Sequence, residues 1–385
     1  MGVQSRSTRV TDGLSRRGFL AASAAAGVAA AELGRLSDTE SARAQGEAPT
    51  VLLDTVSAAV ITPDDAAFVY TGAHEARTAV YPGIWFKPDS LTGGGGWPAA
   101  AVSFWHTGAQ VELLVKPIPR GKYRLTVDGV RVSSDPQPLP SVGPIRLVVY
   151  WPSVARRQVL VELDHVPWGG VRIESSGLVE PVAAPSQRVI VLGDSVTAGT
   201  GALASFTGFV QSAAAILGWT DAWASGVGGT GYVNPGPPGQ VAFINRVDHD
   251  VISYAPSVVL VAGGTNDHAY APTDVQAAAA ALYQRIADGL PAAVVYVMGP
   301  WCSKGPAPAQ WVATRDALVS ALSGFPSFRF IDNIAEQWIT GTGNVAHPKG
   351  DGNADLYISA DGTHPTQAGH DYVGQRLAAD IQAMP

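Results

Sequence analysis

Two different periods of hydrophobicity run along this chain. From about 57 to 180 apolar and polar positions alternate, or give way to short β-branched runs: AVSFWHTGAQVELLVK, KYRLTVDGVRVSS, PIRLVVYW, RQVLVELDHV and GGVRIESSG, separated by Gly, Pro and Asp turns. No segment there carries a convincing helical period. Asp128-Gly129, between Val127 and Val130, is a hairpin signal because it supplies the positive φ that a tight turn needs. This spacing predicts a β-sandwich domain, jelly-roll-like, over 57–180, with PVAAPS at 181–186 as a linker.

Beyond the linker the period changes. Strand-like RVIVLGDS, DAWASGVG, SVVLVAGG, AAVVYVMGP and FRFIDN alternate with helical FTGFVQSAAAILGW, DVQAAAAALYQRIADGL, AQWVATRDALVSAL and QAGHDYVGQRLAADIQ. Strands that are apolar on both faces and alternate with helices form a parallel sheet covered by helices on each side, so 187–385 is expected to be a three-layer α/β/α domain. Ligands of such sheets sit at the carboxyl ends of the strands. Ser195, Gly229, Asn266 and Trp301 all fall just past such ends.

Residues 1–44 read as an address rather than a fold. They contain Ser15-Arg16-Arg17-Gly18-Phe19-Leu20, an Ala-rich apolar run, and Ala42-Arg43-Ala44 as a small-residue cleavage site. The stretch resembles a twin-arginine export signal, and the apolar run is short for a membrane span, which needs roughly 20 residues. That implies a secreted protein, the twin-arginine export machinery as a transient partner, and no stable membrane anchor after signal removal. The net charge of −7 becomes −9 once the six arginines and four acidic residues of 1–44 are gone. Such a balance argues against a nucleic acid or an anionic membrane held by bulk electrostatics. Export permits disulfides, but Cys302 is the single cysteine, so none can form within the chain and the fold rests on its core.

The stretch RVIVLGDSVTAGT at 188–200 stops a buried strand at Gly193-Asp194-Ser195. By itself Ser195 could simply cap a helix. Three further blocks change that: Ser225-Gly226-Val227-Gly228-Gly229, Gly264-Thr265-Asn266-Asp267 and Asp361-Gly362-Thr363-His364-Pro365. Ester cleavage needs a nucleophile, a base for its proton, an orienter for that base and donors for the oxyanion. Ser195 offers a hydroxyl at a strand-to-helix turn, where a helix N-terminus would favour developing negative charge. His364 is the residue type that titrates near neutral pH, and Asp361, three residues earlier, can hold its other nitrogen. Thr197 stands where a Gly-x-Ser-x-Gly elbow would have its second glycine, which argues against the ordinary α/β-hydrolase fold.

In order and spacing the four blocks resemble the SGNH hydrolases, the GDSL-type esterase superfamily, over 187–385, with Val196 where the family name has Leu. The resemblance implies a triad of Ser195, Asp361 and His364. It also implies an oxyanion hole of the Ser195 and Gly229 backbone N–H groups with the Asn266 amide, with Gly226 or Gly228 as alternative donors. It calls for no cofactor and no metal, and His268 and His370 lack metal-ligand spacing. His347-Pro348 imitates His364-Pro365 but has Asn344, not Asp, three residues before it, so it is read as a loop histidine. Asp248-His249-Asp250 is read as a solvated helix end.

A β domain ahead of an SGNH domain is similar to the second family of carbohydrate esterases, whose members often lack the aspartate that Asp361 supplies here. The expected substrate is therefore an O-acylated carbohydrate, most simply an acetyl ester, or another small ester. Trp301 is the candidate sugar platform beside the site, and Trp85, Trp97, Trp105, Trp151 and Trp168 lie in the β half. The rival readings are a lipase or arylesterase acting on longer acyl chains, and a catalytically silent carbohydrate-binding protein.

Overall fold

The computed structural model describes residues 49–384 apart from 56–60, 80–83, 90, 93–97 and 141–142. The export segment read at 1–44 and Trp97 lie outside the described residues.

Eleven strands make the first half: β1 (Thr50–Thr55), β2 (Val69–Thr71), β3 (Glu75–Ala79), β4 (Ile84–Pro88), β5 (Ala100–Val115), β6 (Lys122–Val127), β7 (Val130–Arg131), β8 (Gln137–Pro138), β9 (Ile145–Asp164), β10 (Trp168–Ile173) and β11 (Leu178–Glu180). They join one antiparallel sheet whose spine is the long pair β5 and β9, paired from Ala100 opposite Leu163 to Val115 opposite Ile145. One register shift, between Gly108 and Gln110, divides that pair. Before the shift β2 and β11 add to β5, and β6 adds to β9; beyond it β10 adds to β5, and β1 adds to β9. A single buried cluster draws on both stretches: Val102, Phe104 and Val161 from one, Val111, Leu113 and Val149 from the other.

Two expectations meet this half directly. Asp128 and Gly129 take φ of 51° and 82° at the β6–β7 hairpin, as their pairing predicts. PIRLVVYW and RQVLVELDHV, read as separate strands, are one 20-residue strand. Pro152 to Val154 are exposed yet stay extended across the register shift, so the polar interruption marks solvent and not a turn.

The second half carries β12 (Arg188–Gly193), β13 (Asp221–Gly226), β14 (Val258–Ala262), β15 (Val294–Met298) and β16 (Arg329–Ile331), all parallel in the order β13-β12-β14-β15-β16. Its helices are α1 (Phe209–Leu217), α2 (Val247–Asp250), α3 (Pro272–Gly289), α4 (Ala309–Ala321), α5 (Ala354–Tyr357) and α6 (Gln367–Ala383). Alternate residues of each strand point to opposite faces. Val189, Val191 and Leu260 accordingly pack with Phe209 and Ala213 of α1 and Val373 and Leu377 of α6. Ile190, Leu192 and Val261 pack with Leu282 and Ile286 of α3 and Leu318 of α4. This is the expected three-layer α/β/α arrangement. The strand order reverses at β12, which has β13 on one side and β14 on the other, and a crevice at such a switch point is where these folds bind ligands.

The two halves are bonded together. Gly72 N–H donates to Asp221 Oδ1 at 3.0 Å, Thr92 N–H and Oγ1 both donate to Asp250 Oδ1 at 3.0 Å, and Ser205 N–H donates to Asp164 Oδ2 at 3.2 Å. The Arg124 guanidinium lies 5.1 Å from the Phe206 ring centre. Among the described residues no helix is long and apolar enough to cross a membrane.

Candidate active site

β12 delivers Ser195 into a tight turn. Ala198 N–H donates to Asp194 C=O at 3.0 Å, Gly199 N–H to Val196 C=O at 3.1 Å and Thr200 N–H to Ser195 C=O at 3.0 Å. The helix expected to start here does not form: Gly199 and Gly201 take φ of 81° and 94°, outside the right-handed helical region, and the first α-helix begins at Phe209. No α-helix N-terminus therefore stands at Ser195 to favour developing negative charge. The turn lies directly on the ends of β12 and β13, because a Cβ at Gly193 would sit 2.0 Å from Thr197 Oγ1 and one at Gly226 would sit 2.2 Å from Ala198 N. Asp194 beneath it is buried and accepts from Val196 N–H at 2.9 Å; burial pushes its carboxyl up to about 6.

The loop after α5 brings the other two groups. His364 Nε2 lies 2.9 Å from Ser195 Oγ, and His364 Nδ1 lies 2.6 Å from Asp361 Oδ2. Asp361 Oδ1 accepts from Ser359 Oγ at 2.7 Å, Thr363 N–H at 2.8 Å and His364 N–H at 3.0 Å. Desolvation pushes the Asp361 carboxyl up, but the bonds from the His364 ring and from these neighbours outweigh it and hold the group well below the ordinary carboxylate range. An ionised Asp361 keeps the proton on Nδ1, which leaves Nε2 as the acceptor facing the serine.

Trp301 braces this loop. It is 4% exposed, sits in the apolar cluster of the sheet, and its Nε1–H donates to Thr363 C=O at 2.8 Å. A ring so enclosed offers no face to a sugar, which corrects the reading of Trp301 as a substrate platform. His347 is exposed, and its backbone N–H turns to Asn344. His370 is buried behind the site, accepting from Phe209 N–H at Nδ1 and donating from Nε2 to Thr200 C=O; burial pulls it down to about 4, so it stays neutral and ties α6 to the turn after Ser195.

Three backbone donors beside Ser195 are uncommitted: no described group accepts from the N–H of Ser195, Gly228 or Gly229. A Cβ at Gly228 would sit 3.6 Å from Ser195 Cβ, while Gly229 has φ of 79° and faces Pro237. Asn266 Nδ2 donates to Thr230 C=O at 2.9 Å, which uses one of its two hydrogens and leaves the other for a ligand. Removing one oxyanion donor costs roughly 100- to 1,000-fold in turnover. Asn266→Ala is expected to fall in that range on 4-nitrophenyl acetate while melting as a folded protein; turnover within a few-fold of the parent would take Asn266 out of the oxyanion hole.

Several residues that shape the site were not singled out by sequence reasoning. Arg246 is fully buried and donates to Gly193 C=O at 2.6 Å, Ser225 C=O at 3.1 Å and Asp250 Oδ2 at 3.0 Å, tying together the strand ends under Ser195. Asp250 is 2% exposed, which corrects the reading of a solvated end at that residue, while Asp248 and His249 are exposed as expected. Asp267, 0% exposed, accepts from the N–H groups of Tyr232, Val233 and Asn234 at 2.8 to 3.0 Å and so laces the glycine loop to Asn266. His268 stacks on Trp311 at 3.9 Å, both half-buried. The Arg246–Asp250 spacing of four on a helix was the one signal available for the first of these. Cys302 is buried, its thiol pushed up by burial and donating to Lys304 C=O, so it is a packed residue and not a nucleophile.

Known proteins bear directly on this geometry. Residues 191–372 match the GDSL-like Lipase/Acylhydrolase family. A GDSL lipase of Mycobacterium tuberculosis is 28% identical over 208 residues, covering 49% of this chain and 79% of the relative. Among solved structures, a family two carbohydrate esterase from Clostridium thermocellum in complex with cellohexaose superposes with a TM-score of 0.61 at 17% identity, covering 82% of this chain and 98% of that one. An acetyl xylan esterase from the rumen bacterium Butyrivibrio proteoclasticus gives 0.56 at 13% identity, covering 87% and 98%. A salicylyl-acyltransferase from a tetracycline biosynthetic pathway gives 0.58 at 15% identity, covering 84% and 97%. These structural likenesses extend through both halves and speak to the fold alone. With the family match spanning Ser195, Gly229, Asn266, Asp361 and His364, the chain carries a carboxylic ester hydrolase domain of the GDSL/SGNH family.

Proposed function

We propose that this protein is an exported serine esterase that removes acetyl or other short acyl groups from carbohydrate. The observation that carries it is the continuous line Ser195 Oγ, His364 Nε2, His364 Nδ1, Asp361 Oδ2, with steps of 2.9 and 2.6 Å, beside backbone N–H groups that nothing else uses. His364 takes the Ser195 proton as Oγ attacks the ester carbonyl. The resulting oxyanion receives the N–H of Ser195, the N–H of Gly229 or its neighbour Gly228, and the free Asn266 hydrogen. His364 then protonates the departing sugar oxygen, and a water activated by the same imidazole releases the acyl group from Ser195.

The organisation that goes with this reading is a twin-arginine leader at 1–44, a jelly-roll-like β-sandwich over 57–180 and the catalytic domain over 187–385. The change of partners along β5 and β9 supports two packed layers sharing those strands. Carbohydrate is favoured because a family two carbohydrate esterase and an acetyl xylan esterase match the chain across both halves. The name of the Mycobacterium tuberculosis relative favours the second reading, a lipase for longer chains. A series of 4-nitrophenyl esters from acetate to dodecanoate, run beside an acetylated xylo-oligosaccharide, separates them. The acetate is expected to be the best aryl ester, with kcat/KM falling at least about tenfold by octanoate; a rise toward octanoate would replace the first reading with the second.

A further inference from the structure

Beside the turn that carries Ser195 lies a pocket of about 320 Å³ whose walls come from both halves. The catalytic half supplies 198–205 together with Ala224 and Gly226, and a Cβ at Gly201 would sit 3.6 Å from His364 Cβ. The β half supplies Arg120, Lys122, Asp164 and His165. A chain with a net charge of −7 thus places two permanent cations and a histidine against one acidic residue at this spot. That acid is already engaged: Asp164 Oδ1 holds His165 Nδ1 at 2.6 Å and Oδ2 accepts from Ser205 N–H at 3.2 Å. Lys122 Nζ donates to Leu203 C=O and retains two hydrogens, while no described group accepts from the Arg120 guanidinium.

The backbone singles out the same residues. Arg120 and His165 take φ of 75° and 57°, the left-handed region; histidine, like asparagine and aspartate, is enriched there, so Arg120 is the unusual residue of the two. They are two of only five non-glycine residues with positive φ among the described residues, and their turns are bonded to each other through Ile118 N–H and His165 C=O at 3.1 Å. A residue held in that conformation at a cavity wall is a mark of ligand-holding sites.

We infer that this pocket receives an oxyanion substituent, a carboxylate or a phosphate, borne by the acylated substrate, with Arg120 and Lys122 as its specificity-determining residues. The inference rests on the esterase reading and adds a charge class to its substrate. Cations over a partly open pocket favour such a group by charge-assisted hydrogen bonds, and the preference weakens in salt.

The test compares three acetyl esters matched in position on one ring: methyl glucoside, methyl glucuronide and methyl glucoside phosphate. At least one charged ester is expected to exceed the neutral one about tenfold in kcat/KM, through KM, and to lose most of that margin in 0.5 M NaCl (roughly a 4 Å screening length); which of the two leads identifies the group. Arg120→Gly, which suits a φ of 75°, should melt at or above the parent temperature and bring the charged-to-neutral ratio to about one; Lys122→Gln should lower it part of the way. Charged and neutral esters within twofold in the parent, or a preference surviving in Arg120→Gly, would overturn the inference. Failure of the esterase reading would look different: the parent would turn over neither these esters nor 4-nitrophenyl acetate.

Discussion

Ser195→Ala is expected to lose turnover on every ester by about a million-fold, the scale seen when the serine of such a triad is removed, while the protein melts as the parent does. The two halves of that expectation have separate causes. Ser195 Oγ has one partner, His364 Nε2, so its removal takes away the attacking atom and nothing that holds the turn. The turn itself is closed by backbone bonds from Ala198, Gly199 and Thr200 and seated by the close approach of Gly193 and Gly226, none of which involves the hydroxyl. Residual catalysis of about 10³ to 10⁴ over water is the share left to the oxyanion donors and substrate binding. Labelling with a fluorophosphonate probe checks the assignment independently of turnover: the parent should be modified at one site and the alanine variant not at all. Equal labelling of both would assign the nucleophile to another residue.

The catalytic half was largely legible in the sequence because its signals are local. A parallel strand buried on both faces must be apolar throughout, so VIVL, VVLVA and VVYVM read as strands without a structure; the loops after the first two carry GDS and GTND in plain view, and DGTHP stands just before the last helix. What failed to read were features set by distant contacts. The absence of a helix after Ser195 follows from Gly199 and Gly201, whose positive φ ends the turn, although a Gly-Asp-Ser after a strand passes for a helix cap. Trp301 looked available because it follows β15, but the loop of Gly362 and Thr363 folds over it and takes its indole proton. Arg246 gave no sign of its role, since the carbonyls it holds, at Gly193 and Ser225, are 53 and 21 residues away along the chain. In the β half the continuity of β9 was hidden by Pro152, Ser153 and Val154, where exposure imitates a turn.

Of the two histidines that precede a proline near the C-terminus, His364 should prove indispensable and His347 dispensable. His364→Ala removes the group 2.9 Å from Ser195 Oγ and is expected to match Ser195→Ala, at about a million-fold loss. His347 is exposed, and His347→Ala should remain within about twofold, the ordinary outcome for a surface substitution away from the site. Asp361→Asn is the more informative variant. The asparagine oxygen can keep the bonds from Thr363 and His364 N–H that shape the loop, so the protein should fold, but its amide presents hydrogens to His364 Nδ1 where the carboxylate accepted one. The imidazole then carries its proton on Nε2, facing the serine as a donor, and the expected loss reaches about 10⁴-fold in kcat. The pH profile fixes the sign. Because its hydrogen bonds hold the Asp361 carboxyl well below the ordinary aspartate value of about 4, it stays ionised from that pH upward, and any loss of activity between about pH 4 and neutrality belongs to a different group. The acid limb of the parent should therefore persist in Asp361→Asn at lower absolute rate, measured with 4-nitrophenyl acetate across that range. If the substitution instead abolished the acid limb, Asp361 would be the titrating group and its role as a fixed negative charge behind His364 would be wrong.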